Sequence, residues 1–182
     1  MNFREAGTKI SLISIDDGTL EVTAQYNPKE LQVDQNVPWK KPDAATQAGQ
    51  QQGGAGKAKG PDENYMTLEF TGAEGRTMTV ELLFDGYQAS GGSRPAMDVQ
   101  VQVGKLEQMA RVMEPESQDE KKRRPHHLTV RWGSAIWGTG RLDCVIESLS
   151  TKYSMFSSEG TPLRATCTVK LKEAQRVDKK KQ

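Results

Sequence analysis

From Leu163 to Lys172 the chain alternates without a break. Leu163, Ala165, Cys167, Val169 and Leu171 are apolar, and Arg164, Thr166, Thr168, Lys170 and Lys172 are polar. A period of two marks a β-strand with one buried and one wet face. The preceding stretch, from about Leu142 to Phe156, is rich in β-branched, aromatic and hydroxyl residues and holds no Pro or Gly. Between them lies SSEGTP, where Gly160 can adopt positive φ and Pro162 cannot donate to a ladder. Arg141–Lys172 therefore reads as one long hairpin. An arm of about 14 residues at ~3.3 Å each spans roughly 45 Å, against ~17–20 Å for an ordinary strand. Such a hairpin overhangs a domain of this size and leaves ladder groups in need of a partner.

The same pattern organises the rest. Lys9–Ile15 and Leu20–Tyr26 read as strands joined at Asp16-Asp17-Gly18, an Asp-Gly hairpin corner. Asn27-Pro28 ends the second strand, and Leu31–Val37 is a third extended segment. Tyr65–Thr71, with Met66, Leu68 and Phe70 on one face, and Arg76–Tyr87, with Met78, Val80, Leu82 and Phe84 on one face, read as a second hairpin across GAEG. Asp98–Met113 is the one good helix. Asp98 is its N-cap, and Val99, Val103, Leu106, Ala110 and Met113 form an apolar stripe that core packing explains. His126–Trp132 is a further strand, with Leu128, Val130 and Trp132 on one face.

Composition refines this picture. The chain has 182 residues, 35% of them hydrophobic, and a mean hydropathy of -0.71. The deficit is local. Residues 40–64 hold no large apolar side chain and read as a flexible insertion, since burial cannot offset their ordering entropy. Residues 114–124 (EPESQDEKKRR) read as an exposed charged loop, and 175–182 as a charged, frayed tail. The whole chain reads as one domain. A net charge of +1 makes no electrostatic case for nucleic acid or an anionic membrane. No apolar run approaches the ~18 residues of a membrane span, and the N-terminus has no signal-peptide pattern. A cytoplasmic origin is expected.

Candidate chemistry is sparse. With the hairpin turn centred near Glu159–Gly160, Cys167 faces about Lys152 and Cys144 about Gln175, out of register for a disulfide, which needs Cβ atoms ~3.5–4.5 Å apart. Free buried thiols are expected. His126 and His127 are the only histidines, and neighbouring strand residues point to opposite faces, so they cannot share a metal. There is no phosphate-cradling loop and no dinucleotide fingerprint. A Cys144/His126 nucleophile pair is the sole enzymatic arrangement, and nothing marks it out. No cofactor is expected. A stand-alone carbohydrate- or peptide-binding β-domain would need an aromatic platform, for which Trp132 and Trp137 are the candidates, with Trp132 better placed in the core.

The order of motifs resembles the tube-fold domain of contractile injection system baseplate proteins, the tube-initiating adaptors of phage-tail-like particles. The residues that carry the likeness are QYNPKEL (Gln25–Leu31), Trp39, LEFTGAEGRTMTVELLFDGY (Leu68–Tyr87), the helix after Asp98-Val99, RPHHLTVRWG (Arg124–Gly133) and CVIESLSTKYSMFSSEGTPLRATCTVKLKE (Cys144–Glu173). It covers about residues 5 to 175. Tyr26-Asn27-Pro28 and the Phe156–Ala165 block around Gly160 and Pro162 are its most specific pieces, and Trp132 and Gly133 also belong to the family motif. Many members carry a C-terminal LysM module. This sequence ends at Gln182, so none is expected, and the link from Trp132 to Cys144 looks longer than is usual in the family.

The resemblance implies a mainly β (α+β) fold: a tail-tube-like β-barrel or pair of packed sheets, with two long hairpins and one flanking helix. It implies a homo-hexameric ring between a spike hub and an inner tube or second adaptor ring, with wedge or sheath components outside. Nucleic acid and membrane insertion are not implied. An ordinary stacked tube subunit is the nearest alternative. On this reading the lumen hairpins carry Arg141, Tyr153, Phe156, Gly160, Pro162, Arg164, Lys170 and Lys172, with Leu68, Phe70, Arg76 and Phe84 on the second. Such a protein would work inside an assembled particle in the cytoplasm of the producing bacterium.

Overall fold

In a computed structural model, period-two segments pair into antiparallel strands wherever one of their faces can be buried. The structure describes residues 9–41, 68–72, 74–87, 98–119, 122–133 and 141–174. These fall into two compact units, one built from residues 9–34 and 76–174, the other from 35–41 and 68–75. The readings made for residues 42–67 and for 134–140, with Trp137, and for the tail 175–182, lie outside the described residues.

The larger unit holds β1 (Ser11–Ser14), β2 (Glu21–Thr23), β3 (Leu31–Asp34), β6 (Thr77–Asp85), helix α1 (Val99–Ala110), β7 (Leu128–Arg131), β8 (Arg141–Phe156) and β9 (Pro162–Glu173). Its strands form one seven-stranded antiparallel sheet in the order β2-β1-β7-β8-β9-β6-β3. The mainly β class with one flanking helix is as expected. The sheet is open, however: β2 and β3 are its two edges, and no barrel closes within the chain among the described residues.

One face of the sheet is buried under α1. Met78, Val80, Leu82 and Phe84 of β6 alternate inward, as do Ala165, Cys167, Val169 and Leu171 of β9. Leu142, Cys144 and Ile146 of β8, Leu128 and Val130 of β7, and Ile10, Leu12 and Val22 continue the core. At ~1.5–3 kcal/mol per large side chain, this layer is the main favourable term in folding. The helix contributes Val99, Val103, Leu106 and Met109. Asp98 caps it as expected, Oδ1 accepting from the Val101 N–H at 3.1 Å. The predicted stripe overran the end. Arg111 is already extended, and the Met109 carbonyl is taken by the His126 N–H at 3.2 Å. The stripe thus ends on Met109 and the half-buried Ala110, and Met113 lies beyond the helix.

The long hairpin is present, with 16 residues in β8 and 12 in β9. Its turn lies slightly earlier than the sequence suggests. Phe156 pairs with Pro162, so Pro162 opens β9 as its first residue, where a missing N–H is tolerated. Gly160 has φ +82°, as the turn requires. A β-bulge between Ile146 and Ser148 shifts the register once more, leaving Cys167 opposite Thr151 and Cys144 opposite Glu173. Both thiols are free and buried.

The second hairpin is corrected. β5 (Glu69–Phe70) pairs with β4 (Trp39–Lys40) in the smaller unit, whereas β6 lies between β9 and β3. Alternation gave both strands but not their partners. In the smaller unit the Trp39 and Phe70 rings sit 5.5 Å apart, tilted by 58°, and the Thr71 N–H and hydroxyl both reach the Pro38 carbonyl, at 3.2 and 2.9 Å.

Candidate assembly surface

The face of β3, β6, β8 and β9 turned away from α1 is largely polar. Gln32 and Asp34 of β3 stand opposite Thr79 and Thr77 of β6. Glu81, Leu83 and Asp85 continue β6, Arg164, Thr166, Thr168, Lys170 and Lys172 line β9, and Ser150, Lys152 and Ser154 face them from β8. Alternation forces this: with the odd positions of β9 in the core, its even positions must face outward. The bulge makes the same true of β8. Before it the even residues Leu142, Cys144 and Ile146 point inward. After it the residues opposite the core positions of β9 are odd: Leu149, Thr151 and Tyr153.

Ion pairs fix two of the cations on this face. Arg164 Nη2 meets Asp85 Oδ2 at 2.6 Å, and Lys170 Nζ meets Glu147 at 2.7 Å. Burial opposes ionisation of Asp85, yet the Arg164 guanidinium and the Tyr87 N–H hold its carboxyl below the usual range. Arg76 grips Glu173 through Nε and Nη2, each at 2.9 Å, which lowers the Glu173 carboxyl. Arg141 forms a similar fork on Asp143, at 2.9 and 3.1 Å.

Besides the outer sides of the edge strands β2 and β3, two stretches of strand edge in this sheet have no strand beside them among the described residues. β7 pairs with β8 only from Arg141 to Cys144, so Val145–Phe156 runs on with one edge open. β3 pairs with β6 only from Thr77 to Val80, so the edge from Glu81 onward is open until Asp85. There the Gln25 side chain takes both backbone groups, Nε2 donating to the Asp85 carbonyl at 2.9 Å and Oε1 accepting from its N–H at 2.6 Å. The open edge of β6 borders a cleft of about 720 Å³, walled by Tyr26–Glu30 and by Glu81, Leu83, Asp85 and Arg164. The two open edges are level with each other. Leu83 pairs with Thr166, and Thr166 pairs with Lys152.

The far end of the hairpin is apolar and shaped. Tyr153, Met155 and Phe156 are exposed, Phe156 to 57%. Met155 has φ +58°, a left-handed conformation uncommon for a side chain of its size. The turn beyond it is closed by the Ser157 N–H on the Thr161 carbonyl at 2.9 Å and the Gly160 N–H on the Ser157 carbonyl at 3.0 Å.

The structure sorts the residues expected at the lumen. Arg164, Lys170 and Lys172 lie together on the polar face, Arg141 is paired at the root of β8, and Tyr153, Phe156, Gly160 and Pro162 form the distal end. Phe84 is corrected: it is fully buried under the helix and lines nothing. Leu68 and Phe70 are exposed but belong to the smaller unit. Of the motif residues, Tyr26 and Pro28 wall the cleft, and Asn27 Oδ1 accepts from the Ile10 N–H at 3.2 Å. Trp132 packs half-buried against the core, and Gly133 has φ +51°. Arg124 is no solvated loop residue. Its guanidinium clamps Asp16 at 2.8 and 3.0 Å beneath the β1–β2 corner. Gln25 gave no sign of its role beyond its place beside Tyr26-Asn27-Pro28.

Among the described residues no cluster of His, Cys, Asp and Glu could hold a metal, and no helix is long and apolar enough to cross a membrane. His126 is buried with Nδ1 2.9 Å from Ser14 Oγ, an arrangement that ties β1 to the segment before β7. Burial pushes the Cys144 thiol up to about 12, away from the thiolate a nucleophile needs, and His126 Nδ1 is engaged by Ser14.

No curated protein matches the chain by sequence. A family model described as contractile injection system tube protein matches residues 9–182, which takes in every strand and the helix. The polar-faced open sheet, the overhanging β8–β9 hairpin and this match agree, and the chain belongs to the contractile injection system tube protein family.

Proposed function

We propose that this protein is a structural component of a contractile injection system baseplate: six copies close into a ring that joins the spike hub to the inner tube and initiates tube assembly. The observation that carries this reading is the pair of open edges, β8 beyond Cys144 and the outer side of β3, on the two sides of the face that β8, β9, β6 and β3 share. A sheet with two open edges is a liability in a free monomer. Head-to-tail pairing of β8 in one copy with β3 in the next uses both, and rotation closes the series into a ring. The polar face of β3, β6, β8 and β9 then lines the lumen, and the apolar core with α1 lies outside it. The apolar hairpin end, with Tyr153, Met155 and Phe156, meets a neighbouring ring or the hub, and wedge or sheath components approach from the outside.

The ring works in the cytoplasm of the producing bacterium, inside an assembled particle. An ordinary stacked tube subunit would use the same edges, and quantitative mass spectrometry of particles separates the two: one ring per particle for the adaptor, many for the tube. The primary test is negative-stain microscopy of the purified chain, alone and with its hub. Sixfold rings are expected. Dispersed monomers in both preparations, at micromolar concentration, would sink the proposal.

A further inference from the structure

We propose that Lys152 of one copy pairs with Asp34 of the next, and Tyr153 with Val33, and that these contacts set the register in which β8 meets the outer side of β3. The inference rests on the edge-to-edge ring above. Strands β8, β9, β6 and β3 alternate in direction. In a ring whose copies share one orientation, β8 of one copy therefore runs antiparallel to β3 of the next.

Hydrogen-bond direction along the strands fixes which residues serve the joint. The Gly86 N–H donates to the Leu163 carbonyl at 2.9 Å, and the Glu173 N–H to the Arg76 carbonyl at 2.7 Å. Backbone groups alternate in direction along a strand, so even residues of β6 bond β9 and odd ones turn the other way. Asp85 shows this by meeting the Gln25 amide. Thr77 and Thr79 therefore bond Asp34 and Gln32, and Leu31 and Val33 turn their N–H and C=O to the outer side of β3. On β9 the odd residues face β6, so the even ones bond Ser150, Lys152 and Ser154. That leaves Leu149, Thr151 and Tyr153 on the open edge of β8. An odd residue of β3 must then meet an odd residue of β8, which also keeps the polar faces together. The register can change only in steps of two.

One step brings complementary groups opposite each other on both faces. Asp34 is exposed and accepts from the Gln32 side chain of its own strand, at 3.1 and 3.3 Å. Its charge is felt by Lys170, which Glu147 already holds at 2.7 Å. Lys152 is exposed and has no ion-pair partner among the described residues. Setting Asp34 opposite Lys152 joins a carboxylate on one edge to an ammonium on the other. The same register sets Val33, 42% exposed, opposite Tyr153, 40% exposed, on the α1 side, an aromatic and β-branched pair. Two residues back, Asp34 meets Ser150 and Val33 meets Thr151. Two residues forward, Val33 meets Met155, whose φ of +58° departs from an extended ladder. The implied stagger is also that of a closed sheet. Within one copy Leu31 is level with Leu149, through Val80 and Val169, whereas across copies it comes opposite Met155. Roughly six residues at ~3.3 Å over four strands at ~4.8 Å make a tilt of about 45°, at the upper end of the ~35–45° of closed barrels.

Disulfide trapping and charge reversal test this. Gln32→Cys is combined in turn with Ser154→Cys, its partner in the assigned register, and with Ser150→Cys. The Ser154→Cys combination alone is expected to give a non-reducing gel ladder that reaches the hexamer. Within one copy β9 and β6 separate these positions by about 14 Å, beyond disulfide reach. Asp34→Lys and Lys152→Glu each set like charges opposite, and either alone should raise the concentration for half-assembly by about three- to tenfold. The two together restore an opposite pair and should return it to the parent value. Single reversals that assemble like the parent, or a double reversal no better than the singles, overturn the charge pair and leave the ring standing. Sixfold rings that crosslink through Ser150→Cys, or through neither position, overturn the register and leave the ring standing. A parent chain that forms no rings, alone or with its hub, overturns the ring reading and the register with it.

Discussion

Replacing Asp16 with Asn removes one charge from a clamp that ties the β1–β2 corner to the segment before β7. Asp16 accepts from Arg124 Nη1 and Nη2 at 2.8 and 3.0 Å and from the His127 N–H at 2.7 Å. The Arg124 hydrogen bonds, helped by the His127 N–H and opposed by burial, lower its carboxyl from 3.8 to about 2. At ~1.4 kcal/mol per pH unit, that displacement corresponds to roughly 2 kcal/mol of native-state stability. Because the folded pKa lies below the unfolded one, this contribution is fully present above about pH 4. It fades as the pH falls toward the folded value near 2 and is gone below it. Asn keeps the shape but makes at most a neutral hydrogen bond to a guanidinium left without its counter-charge. Urea unfolding of the parent and Asp16→Asn at pH 7 should differ by roughly 2 kcal/mol. The gap should close in a series run from pH 5 to pH 2. A gap below about 0.5 kcal/mol at pH 7, the range of ordinary surface substitutions, or one that stays constant with pH, would refute this account of the clamp.

Two further outcomes follow from the core. Phe84→Ala should cost about 3–5 kcal/mol in urea unfolding, because the ring is fully buried between β6 and α1; a loss under about 1 kcal/mol would mean that the site is not packed as described. Cys144 and Cys167 should resist a thiol reagent at pH 8 in the native protein and react fully in strong denaturant. Burial pushes the first thiol to about 12 and raises the second, and rapid native reaction at either would contradict their burial.

The sequence carries the strands of this fold well because alternation is a local signal. β6, β9 and the inward sets of β1 and β7 follow from hydrophobic positions, β8 from its β-branched, aromatic and hydroxyl content without Pro or Gly, and the Asp98 cap from its side chain at the start of the helical stripe. Pairing is not local, and there the reading failed: YMTLEFT and RTMTVELLFDGY looked like two arms of one hairpin, yet β5 pairs with β4 and β6 with β9 and β3. The Asp16-Asp17-Gly18 corner shows another limit. Gly18 does not take positive φ, and the Asp17 carboxylate shapes the turn by accepting from the Thr19 N–H and hydroxyl at 3.0 and 2.7 Å. Arg124 was hidden because it ends a run of cations whose other members carry no such role. Phe84 was assigned to the lumen with its strand, although a residue's face, fixed by parity, decides whether it can line anything. The Gln25 side chain that takes both backbone groups of Asp85 was invisible, since one side chain imitating a strand leaves no trace in periodicity.

The bulge between Ile146 and Ser148 makes parity the quantity that any change in this hairpin must preserve. Deleting Glu147 would remove the bulge and leave every distal face as it is, whereas inserting one residue beyond Ser148 would turn Ser150 and Lys152 toward α1, with Thr151 and Tyr153 outward. A lysine would then replace a hydroxyl at the core, and no side chain near the turn would need to change for the whole distal arm to be lost. Lengthening the arms is a gentler operation. Adding two residues to each keeps every existing face and carries the tip farther out, whereas adding one to each exchanges which face the new tip presents. The length of the hairpin is therefore free to vary only in even steps, and the single bulged residue divides a root keyed to the core from an arm keyed to its neighbours.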